Sequence, residues 1–382
     1  MCSIMKEKNT CKQYYTFDLQ SETIKFLRFP LIVGVVMSHA KLSDINIGGI
    51  SNIDGSTMCL FNYISYLISD ILARIPQPMF FFFSGLLFFR NVSSFNHNIY
   101  LQKLSRRVHS LLIPYVVWNL LIVLLYLAVQ LIVPELLSGH NKTVADYSAT
   151  DWLWAFWDTS KINSQAFEGM PINYPLWFVR DLMVTVLFTP LIYLLIKKLK
   201  IVFLCVLGIL WLFNFSVGIT GFSLAAFFFF SLGAYFTIYK KNFIDIISPL
   251  TTPIVIFYVA IAVTQLYFST FGDDRIIYLQ NAGRFVGMAA VFGITSRYVA
   301  KGARIENPTV NSCSFFLYAF HSMPLLFISH LLLKIVQPQG NLSALLVYFA
   351  SPAITIAAGI LFYSFVKRYV PHNVAKLFTG GR

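Results

Sequence analysis

Long apolar segments recur along the whole chain, and short polar segments separate them. Most of these segments are long enough and apolar enough to be read as membrane-spanning helices. The runs are unbroken rather than alternating, which excludes a large β-barrel. The pattern predicts an all-α fold, a polytopic transmembrane bundle of about ten spans, near residues 24–40, 66–89, 110–133, 174–196, 200–214, 220–238, 253–270, 280–299, 312–333 and 342–366.

Composition and charge orient this bundle. The chain is 57% hydrophobic and only 12% charged, whereas a soluble domain is about 25% charged. Most of its 29 basic residues fall on one side of the predicted bundle if the N-terminus is cytoplasmic. We therefore expect both termini to be cytoplasmic, in a multi-pass protein of the cell (inner) membrane. The net charge of +13 then reflects topology, and no nucleic-acid partner is predicted.

Three regions follow from these boundaries. Residues 1–23 form a predicted cytoplasmic N-terminal tail, residues 24–370 the transmembrane domain, and residues 371–382 a cytoplasmic C-terminal tail. The five cysteines show no CxxC spacing, so neither a metal site nor a disulfide framework is predicted.

Arg28 and His39 lie within the first predicted span, eleven residues apart. Eleven helical steps are close to three turns, so both side chains project from one face, about 16 Å apart along the axis. Ionisable groups are costly in lipid and usually face a protein interior, where they have a function. The alternative is two interfacial side chains that extend to lipid headgroups.

Further polar residues gather in the outer half of the predicted bundle. An outward-facing vestibule that binds substrate explains them economically. For one i,i+4 pair, Asp70 and Arg74, simple mutual neutralisation is the alternative. The candidate substrate-binding residues are Asp70, Arg74, Trp177, Arg180, Asp181 and Arg284.

Arg106 and Arg107 lie before the third span, on the predicted cytoplasmic side. Adjacent arginines bind phosphate groups well, so the pair is a candidate site for a phosphorylated soluble cofactor. A role in topology alone is the alternative.

Six motifs follow one another along the chain. They are the Arg-x10-His pattern of Arg28 and His39, the phenylalanine-rich Pro78–Gly85, the basic Lys103–Pro114, Pro175–Leu182, Phe227–Gly233 and Phe315–His321. This ordered set resembles the motifs of the acyltransferase-3 family of integral membrane O-acyltransferases. The likeness extends from about residue 20 to residue 370.

The resemblance implies transfer of an acyl group, commonly acetyl, from a coenzyme A thioester to a hydroxyl of a cell-surface or exported glycan. It implies that His39 is catalytic, as a base, and that Arg28 supports donor binding. No cofactor is expected to be permanently bound, because acyl-CoA is the donor substrate. The chain resembles the stand-alone form, which carries no fused hydrolase-like domain. The residues expected to bind the donor are Arg106, Arg107, Ser84, Gly85, Tyr318 and His321.

Several of these residues also have a structural interpretation. Ser84 and Gly85 admit either an acyl-pantetheine arm or a neighbouring helix. Tyr318 and His321 share a helical face and can bind a thioester carbonyl or each other. Trp177 either lines the acceptor site or marks the membrane interface.

Three functions are compatible with the pattern. The first is an O-acyltransferase acting on an extracytoplasmic glycan, with acyl-CoA, the glycan and the bilayer as partners. The second is a transporter or exporter of a sugar or lipid-linked glycan, and the third is a non-catalytic partner in polysaccharide assembly. Only the first requires binding or hydrolysis of acetyl-CoA. The acceptor, the acyl group and the oligomeric state are left open by the sequence.

Overall fold

The structure is a computed structural model that describes residues 2–42, 59–92, 94–132, 142–163, 166, 168–269, 275–305 and 307–381. All regular secondary structure in these ranges is helical, which confirms the predicted all-α class for the described part of the chain. Within it, four helices are long and apolar enough to cross a membrane, or up to six if each of two bent pairs forms one span.

The described residues up to Leu212 include nine α-helices. A π-helical turn, Tyr66–Ile71, and a 3-10 turn, Leu72–Arg74, connect α2 to α3, and a second π-helical turn, Val108–Leu112, connects α4 to α5. The helices are α1 Cys2–Ser38, α2 Cys59–Ser65, α3 Pro76–Phe88, α4 His97–Arg107, α5 Ile113–Ile132, α6 Ala149–Ala155, α7 Trp177–Leu187, α8 Thr189–Leu199 and α9 Ile201–Leu212.

The second half of the chain continues in the same way. Its helices are α10 Leu224–Ile238, α11 Phe243–Ile247, α12 Thr251–Phe268, α13 Ile276–Ala300, α14 Pro308–Ser312, α15 Ser314–Phe320, α16 Ser322–Val336, α17 Asn341–Tyr369 and α18 His372–Thr379.

Each predicted span coincides with helical segments of the structure. The count of ten is not established by length and apolar composition, which identify four to six spans among the described residues. Helix α1 runs without a break from Cys2 to Ser38, so it includes most of the predicted N-terminal tail as well as the first predicted span.

Proline explains both bent pairs. The axes of α7 and α8 differ by 63°, and those of α15 and α16 by 59°. Pro190 and Pro324 lie at the start of the second helix of each pair. Proline lacks an N–H and its ring clashes with the carbonyl four residues earlier, so it favours a bend or a break here, although α1 and α17 continue past Pro30 and Pro352. The second bend places His321 at the break.

Among the described helices, α3 and α10 pack especially closely. A Cβ added to Gly85 would lie 2.0 Å from the backbone oxygen of Phe230, and one added to Gly233 would lie 2.1 Å from that of Phe82. Only glycine permits two backbones to approach this closely. Buried phenylalanines surround the contact, so the opposite face of α3 is held in a fixed position.

Candidate active site

One cavity of about 460 Å³ lies among α1, α3, α7 and α15. Its wall contains seven of the residues singled out in the sequence. These are Arg28, His39, Arg74, Ser84, Arg107, Trp177 and Tyr318.

The wall contributed by α3 is one helical face. Gln77, Phe80, Ser84 and Leu87 recur at spacings of three and four residues, as a single face requires. Gly34 of α1 approaches Pro76, the first residue of α3. Gln20, earlier in α1, accepts a hydrogen bond from the backbone N–H of Phe243, whose ring packs against Phe82 in the middle of α3. The two helices therefore run antiparallel along the cavity, with the start of α3 near the end of α1.

This arrangement gives the cavity two ends. The His39 end contains His39, Ser38 and Arg74. The Arg107 end contains Arg107, Ser110 and Gly380, and Arg28 lies about 16 Å along α1 from His39, toward this end. The described lining residues include three arginines and no Asp or Glu, so the cavity suits an anionic ligand.

His39 contacts a second histidine. The ring centroids of His39 and His321 are 5.5 Å apart, and that of Tyr174 lies 5.0 Å from His39 on another side. His321 is fully buried, and its Nδ1 lies 2.7 Å from the carbonyl oxygen of Tyr318. A carbonyl only accepts, so Nδ1 carries the hydrogen and Nε2 is the unprotonated nitrogen of the neutral ring. Nε2 has no hydrogen-bond partner among the described residues.

Tyr318 lines the cavity, but its hydroxyl is engaged in a hydrogen bond within the protein. It donates a hydrogen bond to the carbonyl oxygen of Pro175. The ring packs against Phe178, which in turn stacks on Phe81 of α3 with centroids 4.1 Å apart. The hydroxyl thus joins α15 to the segment before α7, and the ring contributes an apolar surface to the wall.

Arg180 and Asp181 form a buried ion pair outside the cavity. Nε and Nη2 of Arg180 donate to Oδ1 of Asp181 at 3.0 and 2.7 Å. Nη1 donates to the backbone oxygens of Trp157 and Gly169 at 2.6 and 2.7 Å. We call residues 142–163, 166 and 168–173 the connecting segment. Arg180 fastens this segment to α7.

Asp158 organises the same segment. Its Oδ1 accepts hydrogen bonds from Ser160 and from the backbone N–H of Gly169, and its Oδ2 accepts one from Thr220. Burial opposes ionisation of Asp158, but these hydrogen bonds outweigh it and lower the pKa of the carboxyl. The carboxylate is therefore a structural anchor.

A charged cluster adjoins the His39 end. Oδ1 of Asp70 lies 2.7 Å from Nζ of Lys41 and 3.4 Å from Nη2 of Arg74. Arg284 lies within electrostatic range of Arg74 and Asp70, and it donates to Asn281 at 3.0 Å. Of these residues, only Arg74 lines the cavity.

Seven of the predicted site residues do not line the cavity. Gly85 faces α10, and the side chain of Arg106 is exposed. The full set is Gly85, Arg106, Asp70, Arg180, Asp181, His321 and Arg284.

Four further polar residues that were not predicted from the sequence also line the cavity: Ser38, Gln77, Ser110 and Ser314. A signal existed for Gln77, since it is a polar residue in an apolar run, three positions after Arg74 and seven before Ser84.

Comparison with known proteins identifies the family of this chain. The family described as "Acyltransferase domain" (acyltransferase 3) matches residues 22–364. The chain belongs to this acyltransferase family, and the resemblance inferred from the motifs is confirmed. It is 27% identical over 377 residues to the succinoglycan biosynthesis protein ExoH of Rhizobium meliloti (strain 1021), which covers 95% of this chain and 92% of that protein. No solved structure matches the chain.

Family membership decides between the classes of function. The protein is an acyltransferase of a membrane-protein family, and its apolar helices fit that class. The alternative of a transporter or exporter is not favoured.

Proposed function

We propose that the protein transfers an acyl group from acyl-CoA, with acetyl as the simplest case, to a hydroxyl of a cell-surface or exported glycan. The observation that carries this proposal is the cavity, which contains Arg107 and Arg28 toward one end and His39 at the other. A glycan acceptor is supported by the likeness to a succinoglycan biosynthesis protein.

The shape and charge of the cavity suit acyl-CoA. The phosphates of CoA would bind near Arg107, whose guanidinium makes directed hydrogen bonds to phosphate oxygens. The pantetheine arm would extend along the face of α3 that carries Ser84, between apolar walls. The roughly 16 Å from Arg28 to His39 matches an extended arm that brings the thioester to the imidazole.

The chemistry then needs one base. A neutral imidazole of His39 accepts the proton of the acceptor hydroxyl as the oxygen attacks the thioester carbonyl carbon. The C–O ester bond forms, the C–S bond breaks, and the imidazolium returns the proton to the departing CoA sulfur. His321 contacts His39 from outside the cavity and would hold the imidazole in orientation.

Replacement of His39 tests this role. His39→Gln should reduce transfer by about 10²- to 10⁴-fold without loss of acyl-CoA binding, because a general base contributes that much to the rate. The measurement is glycan acylation by purified protein in proteoliposomes, at matched protein levels. Normal acylation by the variant would refute the catalytic role of His39.

Two adjacent arginines provide a matched pair for donor binding. Arg107 lines the cavity and Arg106 does not, although both carry the same charge. Arg107→Gln should weaken acetyl-CoA binding by roughly tenfold or more, the value of one charge-assisted hydrogen bond. Arg106→Gln should have the smaller effect. The affinity for acetyl-CoA is measured by calorimetric titration. If both variants weaken this affinity equally, the specific role of Arg107 in binding the donor is refuted.

The proposal also includes topology. Ten spans with both termini in the cytoplasm, in the inner membrane, would place the Arg107 end at the cytoplasmic side and the His39 end at the outer side. In oriented proteoliposomes, acetyl-CoA should then be used only from the side of Arg107, with acceptor supplied on the opposite side. A requirement for both substrates on one side would exclude transfer through the membrane.

A further inference from the structure

Positive charge exceeds negative charge at the His39 end. Lys41, Arg74 and Arg284 lie around Asp70, the one carboxylate that the described residues contribute to this cluster. Among the described residues of this cluster, three cations therefore share one anion. Like charges held together in a low-dielectric region are unfavourable unless an anion joins them.

Asp70 does not satisfy Arg74. The carboxylate is in close contact with Lys41 at 2.7 Å, whereas its distance to Arg74 is 3.4 Å. Charge-assisted hydrogen bonds are normally 2.7–2.9 Å long. Arg74 thus keeps most of its donors for another partner, and about a third of its side chain is exposed.

Arg284 adds to this excess. One terminal nitrogen of Arg284 donates to Asn281, but its Nε is buried and has no hydrogen-bond partner among the described residues. Its charge acts on Arg74. Arg284 therefore raises the positive potential at Arg74 without reaching the cavity wall itself.

Arg74 also lies close to the reacting position. It lines the cavity together with His39, and its charge acts on the imidazole. A ligand atom held by Arg74 would therefore lie beside the bond that is made. The CoA phosphates are expected at the other end, near Arg107, so they do not account for this cluster.

We propose that the His39 end of the cavity is a second anion subsite, in which Arg74 binds a carboxylate or phosphate group carried by one of the two substrates. The inference rests on the proposed acyl transfer and specifies its substrates. Either the acceptor glycan carries an acidic substituent near the acylated hydroxyl, or the acyl chain carries a carboxylate at its far end. The chemistry recognised is the same in both cases.

The first arm of the test concerns the acyl chain. Acetyl-CoA and succinyl-CoA differ at the far end of the acyl group, where only succinyl-CoA carries a carboxylate. If the acyl chain supplies the anion, the parent protein should bind succinyl-CoA roughly tenfold to hundredfold more tightly in a calorimetric titration. Arg74→Gln should make the two affinities equal.

The second arm concerns the acceptor. Cellobiose and cellobiouronic acid are titrated in the presence of saturating acetyl-CoA, because only the second sugar carries a carboxylate. If the acceptor supplies the anion, the parent protein should prefer cellobiouronic acid by a similar factor, and Arg74→Gln should abolish the preference. The preference should also weaken as salt is added, since it depends on charge.

Controls separate local from general charge effects. Arg368→Gln removes the same charge from an exposed position in the last turn of α17, outside the cavity, and should retain the preference of the parent. Arg74→Lys, which keeps the charge but not the planar fork, should retain part of it.

The absence of any preference for the anionic ligand in both arms, measured on the parent alone, overturns the proposal even if no variant folds. An unaltered preference in Arg74→Gln overturns it too. Failure of the parent to bind either CoA thioester would instead refute the proposed function.

Discussion

The close approach of α3 to α10 allows a quantitative test of the role of Gly85. The sequence suggested donor binding, but the structure places Gly85 against α10, where an added Cβ would lie 2.0 Å from the backbone oxygen of Phe230. Ordinary contact begins at 3.4 Å. Gly85→Ala must therefore separate α3 from α10 by about 1.4 Å, because backbone atoms cannot rotate away as a side chain can.

The expected cost follows from this separation. Overpacking a rigid contact costs about 1–3 kcal/mol, and a clash with backbone belongs at the upper end of that range. For a chain of this size the midpoint of thermal unfolding should fall by roughly 5 °C. Gly233→Ala meets Phe82 at 2.1 Å and should behave in the same way. The double variant should cost less than the sum, because one separation relieves both clashes.

Thermal unfolding of the detergent-solubilised protein, monitored by tryptophan fluorescence, measures these effects. Gly340→Ala is the matched control, since open space surrounds that position and its φ of −163° suits any residue. Activity should decline with stability, because α3 carries one wall of the cavity. If Gly85→Ala unfolded like the control while its affinity for acetyl-CoA fell, the residue would contact the donor, and the packing argument would be refuted.

Three further outcomes follow from the site. Hydrogen bonds lower the pKa of Asp158 in the folded protein, so the ionised carboxylate stabilises the fold fully above the unfolded pKa of about 3.9. This contribution is lost as the pH falls through the folded pKa. The difference in unfolding free energy between the parent and Asp158→Asn should therefore be constant near neutral pH and shrink below about pH 4. Arg180→Lys cannot reproduce all four hydrogen bonds of the guanidinium, so proteolysis should cut the connecting segment faster. His321→Phe keeps a ring beside His39 but removes Nε2; transfer should fall with an altered pH–rate profile while the acyl-CoA affinity stays at the parent value.

The periodic signals in the sequence predicted the main features of the site. Arg28 and His39 line one cavity because helical geometry alone puts residues eleven apart on one face. Ser84 and Arg107 were also identified from local motifs. The all-α class followed from apolar runs whose meaning does not depend on tertiary contacts.

Tertiary contacts explain what the sequence did not show. Nothing local to Gly85 distinguishes a face toward a ligand from a face toward α10. Arg180 was expected in a substrate vestibule, but the structure turns it toward the backbone oxygens of Trp157 and Gly169 in the connecting segment, whose path no local pattern predicts. The pairing of His39 with His321 likewise joins residues nearly three hundred positions apart. Such contacts need the fold before they can be recognised.

Asn173 joins the connecting segment to the bend between α15 and α16. Its amide donates to the carbonyl oxygen of Ala319 at 3.0 Å and accepts from the hydroxyl of Ser322 at 3.0 Å, so it closes the gap where the helix breaks at His321. Arg180 ties the same segment to the other broken pair. An antibody fragment that binds the connecting segment would therefore restrain both bends. Through the second bend it would also restrain His321, which contacts His39. The connecting segment would thus offer a way to act on the site from outside the cavity.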